Sequence, residues 1–124
     1  MPPRSDPQLD SAMATGQGRR DHQEDAVICD CALGGEVGLV VLSDGMGGYR
    51  CGDVASKIVL TEVYSELKLR SADLARADED CATVLRSAVR GANACLRAYI
   101  AQTPSAAGMG ATLVAGILRG RLLH

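Results

Sequence analysis

Two short apolar runs joined by Gly34-Gly35, the second ending in Asp44-Gly45-Met46-Gly47-Gly48, constrain this chain more than anything else in it. Residues 25–33 alternate, with Val27, Cys29 and Cys31 on one face, and residues 36–43 carry the second run. Two β-type runs separated by a Gly-Gly pair read as a hairpin. A hairpin places the start of its first strand beside the end of its second. Glu24 and Asp25 are therefore expected to converge on Asp44 and Gly45, with Arg20 in the loop just before them. Carboxylates and exposed carbonyls are what hard divalent cations bind, and a guanidinium is what a phosphate dianion binds.

Each component is weak by itself. An Asp-Gly pair alone is an ordinary turn, and Arg20, beside Arg19, reads on local sequence as a solvated side chain. The combination is what carries information. Adjacent acids at a strand start point to opposite faces, so one would ligate an ion while the other holds its bound water. Gly47 and Gly48 let the backbone take positive φ and approach an ion closely. His22 reads as a solvated loop residue, and Met46 and Met109 as packing. The glycine clusters complete neither a G-x-x-x-x-G-K-[ST] nor a G-x-G-x-x-G pattern, which argues against a nucleotide loop.

With 124 residues there is room for one domain or part of one. Phe and Trp are absent, so the core must come from Ala, Val, Leu and Ile. A net charge of −2 gives no reason to expect nucleic acid or an anionic membrane as partner. No apolar run approaches the roughly 20 residues of a membrane span, and the polar, Pro-containing residues 1–10 read as a disordered lead-in rather than a signal or anchor. Cys29, Cys31, Cys51, Cys81 and Cys95 show no CxxC spacing, which disfavours a zinc site or a disulfide framework. They are expected to be reduced and mostly buried, as in a cytoplasmic protein.

Beyond the lead-in, residues 11–15 read as a short strand broken by Gly16-Gln17-Gly18. After the glycine loop, Asp53 is a suitable N-cap for a helix over 54–69, whose Ala55, Ile58, Val59, Val63 and Leu67 recur at helical spacing. A polar break at 71–77 precedes a second helix over 78–101, with Asp78-Glu79-Asp80 suited to its N-terminal dipole. Cys81, Leu85, Ala88, Ala92, Cys95 and Tyr99 are its expected buried face. Residues 112–118 read as a strand buried on both sides, Arg119-Gly120 as a turn, and 121–124 as a returning strand.

Three segments in order, GRRDHQED (18–25), VVLSDGMGGYRCGDVAS (40–56) and GMGATLVAGIL (108–118), resemble the N-terminal half of bacterial PP2C-type (PPM family) metal-dependent protein serine/threonine phosphatases. The resemblance runs from about residue 11 to residue 124. It implies an α+β fold, a partial αββα sandwich of antiparallel sheets flanked by helices, with a centre of two Mn²⁺ or Mg²⁺ ions at one end. In that family pattern Asp44 would bridge the ions, Glu24 and the Gly45 backbone carbonyl would ligate one of them, Asp25 would support bound water, and Arg20 would hold the substrate phosphate. Hydrolysis of a phosphoserine or phosphothreonine protein would proceed by metal-activated water, without a phosphoenzyme.

Departures from the pattern are Gln23, where the family usually has Asn, and Met46, where many eukaryotic members have His. The family's downstream Gly-Asp, Asp-Gly and Gly-Asp-Asn segments have no counterpart in residues 11–124. The implied domain is therefore truncated after its first half, with weak metal binding and negligible turnover expected of the chain alone. The alternative reading is a short, non-catalytic pseudophosphatase or phosphoprotein-binding module.

Overall fold

The computed structural model describes residues 8–31, 37–47, 51–76 and 80–124. Strand β1 (Asp25–Asp30) pairs antiparallel with β2 (Val37–Met46), in a register that sets Asp25 opposite Asp44 and Asp30 opposite Leu39. The expected hairpin pairing is present. Its Gly34-Gly35 connection, Gly48, Asp78-Glu79 and residues 1–7 of the lead-in lie outside the described residues. The alternation along β2 is sharp: Leu39 (1% exposed), Val41 (0%) and Ser43 (0%) face inward, while Leu42 (43%) and Met46 (52%) face out.

Helix α1 (Cys51–Leu69) lies against the inward face, burying Ala55, Val59, Leu60, Val63 and Leu67. It starts earlier than the sequence suggests. Asp53 is therefore inside the first turn rather than at the cap, where its carboxylate still suits the helix dipole and meets Lys57 Nζ at 3.1 Å. Near the other end of α1, the Tyr64 hydroxyl (2.7 Å) and the Lys68 ammonium (2.8 Å) both donate to Asp30 Oδ2, tying the end of β1 to the helix.

The expected polar break contains a short helix, α2 (Ser71–Ala75), because fully buried Leu74 anchors it. Helix α3 (Cys81–Gln102) is capped by Asp80, whose carboxylate accepts from the Ala82 amide and the Thr83 hydroxyl. Its buried face is Cys81, Val84, Ala88, Ala92 and Leu96. Cys95 and Tyr99 are exposed instead. The correction has a packing reason: Val84, Ala88, Ala92 and Leu96 form one i, i+4 ridge, and α3 packs against α1.

The strand expected at 112–118 starts two residues later, as β4 (Val114–Arg119), and is preceded by a short strand β3 (Gly110–Ala111); both pair with β2. It is not buried on both sides, since Val114 is 66% exposed. A turn at Gly120-Arg121, one residue later than expected, leads to β5 (Leu122–Leu123), and Gly120 takes φ 59° there. The result is a five-stranded antiparallel sheet with helices on one face, a mixed α+β arrangement. Residues 11–15 form no strand; they are exposed, so no burial supports pairing. All five cysteines are free, but only Cys81 is buried.

Candidate metal centre

The corner expected from the hairpin exists. Gly45 donates its amide to the Glu24 carbonyl at 3.0 Å, which fixes the chain entering β1 against the end of β2. Asp25 and Asp44 are cross-strand partners, so their side chains share a face, the one turned away from the helices. Glu24, one residue earlier, points the other way and lays its carboxylate on Gly52 in the first turn of α1. Of the three predicted acids, the structure thus joins Asp25 to Asp44 and leaves Glu24 on the helix side. Among the described residues, no three His, Cys, Asp or Glu side chains stand together as a complete metal site.

Asp25 is held above the ordinary carboxylate range. The main cause is a hydrogen bond shared with the Asp44 carboxyl, followed by desolvation and the negative charge of Asp44. The positive charge of Arg20 works in the opposite direction, and the negative charge of Glu24 adds to the shift. Arg20, Glu24 and Asp44 therefore all act on Asp25. Two carboxylates pressed side by side repel unless a proton or a cation sits between them. Their hard oxygens fit a divalent ion by donor type, while Glu24, as it lies, does not complete the set.

The loop carrying Arg20 is held by two glutamines. Gln17 Nε2 donates to the carbonyls of Arg20 (2.7 Å) and Asp21 (3.0 Å). Gln23 Nε2 donates to the Gly16 carbonyl (3.2 Å), and its Oε1 accepts from the Asp25 amide (3.3 Å). Gln23, the departure from the family pattern, thus ties the loop to the first residue of β1. An open depression of about 360 Å³ lies beside it, lined by Gln17, Asp21, His22, Gln23 and Asp53. His22 is exposed there, as expected.

Two residues that sequence reasoning missed brace Asp44. Opposite Ser43 and Asp44, between β3 and β4, the ladder is interrupted at Thr112 and Leu113. The Thr112 amide still donates to the Asp44 carbonyl at 2.8 Å. A regular pair would return the Asp44 amide to the Thr112 carbonyl. Here the Asp44 amide donates to Thr112 Oγ1 at 3.3 Å, and the buried Ser43 hydroxyl donates to the Thr112 carbonyl at 2.8 Å. Thr112 Oγ1 also donates to the Asp44 carbonyl at 3.3 Å. Hydroxyls fill the gap in the ladder. The segment 108–118 was visible as a motif, but nothing in it distinguishes a bracing Thr from a strand Thr. After Asp44 and Gly45, Gly47 turns the chain with φ 139°, a conformation that favours glycine.

No family model matches the chain. Among curated proteins it is similar to the serine/threonine protein phosphatase PstP of Mycobacterium tuberculosis, 33% identical over 109 residues, which cover 84% of this chain and 18% of that protein. It is also similar to the serine/threonine phosphatase Stp of Listeria monocytogenes, 36% identical over 80 residues, covering 64% of this chain and 31% of that protein. The chain therefore spans less than a third of the length of these relatives. Among solved structures, the catalytic domain of PstP in complex with two manganese ions matches with a TM-score of 0.66 and 32% identity, over 84% of this chain and 40% of that one. Agreement in sequence and in fold leads to one conclusion: the chain belongs to the PP2C-type (PPM) family of bacterial serine/threonine protein phosphatases and represents part of its domain.

Proposed function

We infer that this chain contributes one wall of the catalytic centre of a metal-dependent protein serine/threonine phosphatase. Asp44, Glu24 and the Gly45 carbonyl would hold Mn²⁺ or Mg²⁺, Asp25 would support bound water, and Arg20 would bind the phosphate of a phosphoserine or phosphothreonine protein. The observation that carries this reading is the register that sets Asp25 against Asp44 at the mouth of the hairpin, with Arg20 and Glu24 both acting on Asp25. When bound, the ions supply an activated water and charge neutralisation of the phosphoryl oxygens.

The residues of this chain orient the reacting groups. The Arg20 guanidinium offers paired donors to two phosphate oxygens, and the two glutamines hold its loop in place. The Ser43–Thr112 brace fixes the backbone of Asp44, so that its carboxylate needs little reorganisation on binding. The open sheet face beside the acids carries Leu42 (43% exposed), Val114 (66%) and Leu123 (71%), as expected of a surface that the rest of the domain would cover. No described helix is long and apolar enough to cross a membrane.

A Mn²⁺ titration followed by water-proton relaxation tests the site. Binding that Asp44→Asn weakens at least about tenfold supports it, and binding indifferent to Asp44→Asn refutes it. Hydrolysis of a phosphothreonine peptide by these 124 residues alone should be negligible with Mn²⁺. A normal turnover rate would overturn the view that one wall is not enough.

A further inference from the structure

The two long helices treat their charges differently. Around α1 the cations are paired: Lys57 meets Asp53 at 3.1 Å, Lys68 meets Asp30 at 2.8 Å, and Arg70, just past the helix, meets Glu66 at 3.4 Å. Helix α3 carries Arg86, Arg90 and Arg97 and not one acid in its 22 residues. Positions 86, 90, 93 and 97 recur at helical spacing, so the three arginines and Asn93 share one side. All four are exposed. Arg86 acts on Asp80, whereas Arg90 and Arg97 make no ion pair among the described residues. Like charges a helical turn apart repel slightly, so the stripe does not serve the stability of the helix.

That stripe borders a groove. Between α1, α3 and the break after β3 lies an open cavity of about 240 Å³, with Val59, Val89, Leu96 and Leu113 as its apolar lining and Arg90 and Asn93 at its rim. Val89 is 44% exposed there, a large apolar side chain beside an unpaired cation. No acid lines the groove; Glu62 and Glu66 line the opposite flank of α3, with Ser87 and Gly91. The cavity is smaller than the roughly 300–1,000 Å³ of small-molecule pockets, which suits a single aliphatic side chain of a peptide. We propose that this groove docks an acidic peptide segment of a protein partner, with an aliphatic side chain seated against Val89, Leu96 and Leu113 and flanking carboxylates on Arg90 and Arg97. Charge complementarity selects the occupant: the apolar lining takes the anchor, and the arginine stripe attracts acids and repels a basic segment. The groove lies on the helix side of the sheet, away from the acids and from the open face of Leu42 and Val114, so the inference stands independently of the metal-centre reading.

The test titrates the full chain into a fluorescein-labelled peptide, a central leucine flanked on both sides by glutamates, and follows fluorescence anisotropy. Wild type should bind saturably, and more weakly as salt rises. A glycine-centred peptide and a lysine-flanked peptide should each bind about tenfold or more weakly. Arg90→Glu changes an exposed residue with no described ion pair to lose, so the fold should persist; affinity should fall about tenfold, because repulsion replaces attraction. Asn93→Glu, on the same rim, should weaken binding in the same direction. Arg121→Glu makes the same charge change beyond the far end of β4 and should leave affinity unchanged. No saturable binding by wild type, equal binding of the glycine-centred or lysine-flanked peptide, wild-type affinity in Arg90→Glu and Asn93→Glu, or an equal loss in Arg121→Glu would each overturn the proposal.

Discussion

The hydroxyl-filled gap opposite Asp44 makes a sharp prediction for Ser43→Ala. Ser43 is fully buried, and its hydroxyl donates to the Thr112 carbonyl at 2.8 Å. Alanine removes that donor and leaves the carbonyl without it. A buried polar group deprived of its partner costs about 1–3 kcal/mol. Thr112 is itself exposed, so water can reach the carbonyl in part and the lower end applies. The gain from burying a methyl where an oxygen stood is a few tenths of a kcal/mol. The expected loss is about 1 kcal/mol, equivalent to about 4 °C in Tm for a domain of this size.

The assay is urea unfolding followed by far-UV circular dichroism, with the slope unchanged and the midpoint lowered. A double-mutant cycle with Thr112→Val separates a local brace from two unrelated contacts. Because both hydroxyls repair the same break in the ladder, the two losses should fall short of additivity by about 0.5 kcal/mol or more. A loss in Ser43→Ala below about 0.3 kcal/mol, or strict additivity in the cycle, would refute the reasoning.

The Asp30 anchor should show in acid. Lys68 first and Tyr64 second stabilise the charged form, so the folded value of Asp30 lies below the ordinary 3.8. The contribution is therefore complete above the unfolded value and is lost as pH falls from about 3.8 through the lowered folded value. Tyr64→Phe should cost about 1 kcal/mol near neutral pH and flatten that part of the stability–pH curve, measured by urea midpoints; an unchanged slope would contradict the anchor. The open sheet face should make the chain self-associate, because Leu42, Val114 and Leu123 are exposed there. Val114→Lys, placed opposite Leu42 in the register, should shift sedimentation toward the monomer; a wild type that is monomeric at every concentration would contradict this.

The parts of the fold legible in the sequence were those governed by local pattern. Alternation and the Gly-Gly pair located β1 and β2, and helical spacing located α1 and α3 to within a few residues. The misplaced features were those that depend on a neighbour. Tyr99 and Cys95 fit the period of α3 as well as Leu96 does, but only contact with α1 selects the ridge through Val84, Ala88, Ala92 and Leu96. Leu74 looked like one apolar residue in a polar break until the fold gave it a buried site. Residues 11–15 have strand-like composition and no strand to pair with.

For the candidate site, the sequence by itself determined the donor types: hard oxygen donors, glycines around them, an arginine four residues before the first acid, and a strand pairing that brings two of the acids together. Composition and spacing suffice for this because residue type fixes donor type and a hairpin has only one open end. The tertiary structure decided which acid faces which. Side chains alternate along a strand, so Asp25 meets Asp44 on the open face while Glu24 turns toward α1. It also decided what packs against them, Thr112 from the break between β3 and β4, about 70 residues downstream, and Gly52 from the helix. Those contacts are between segments distant in sequence, and no local pattern encodes the space one segment leaves for another.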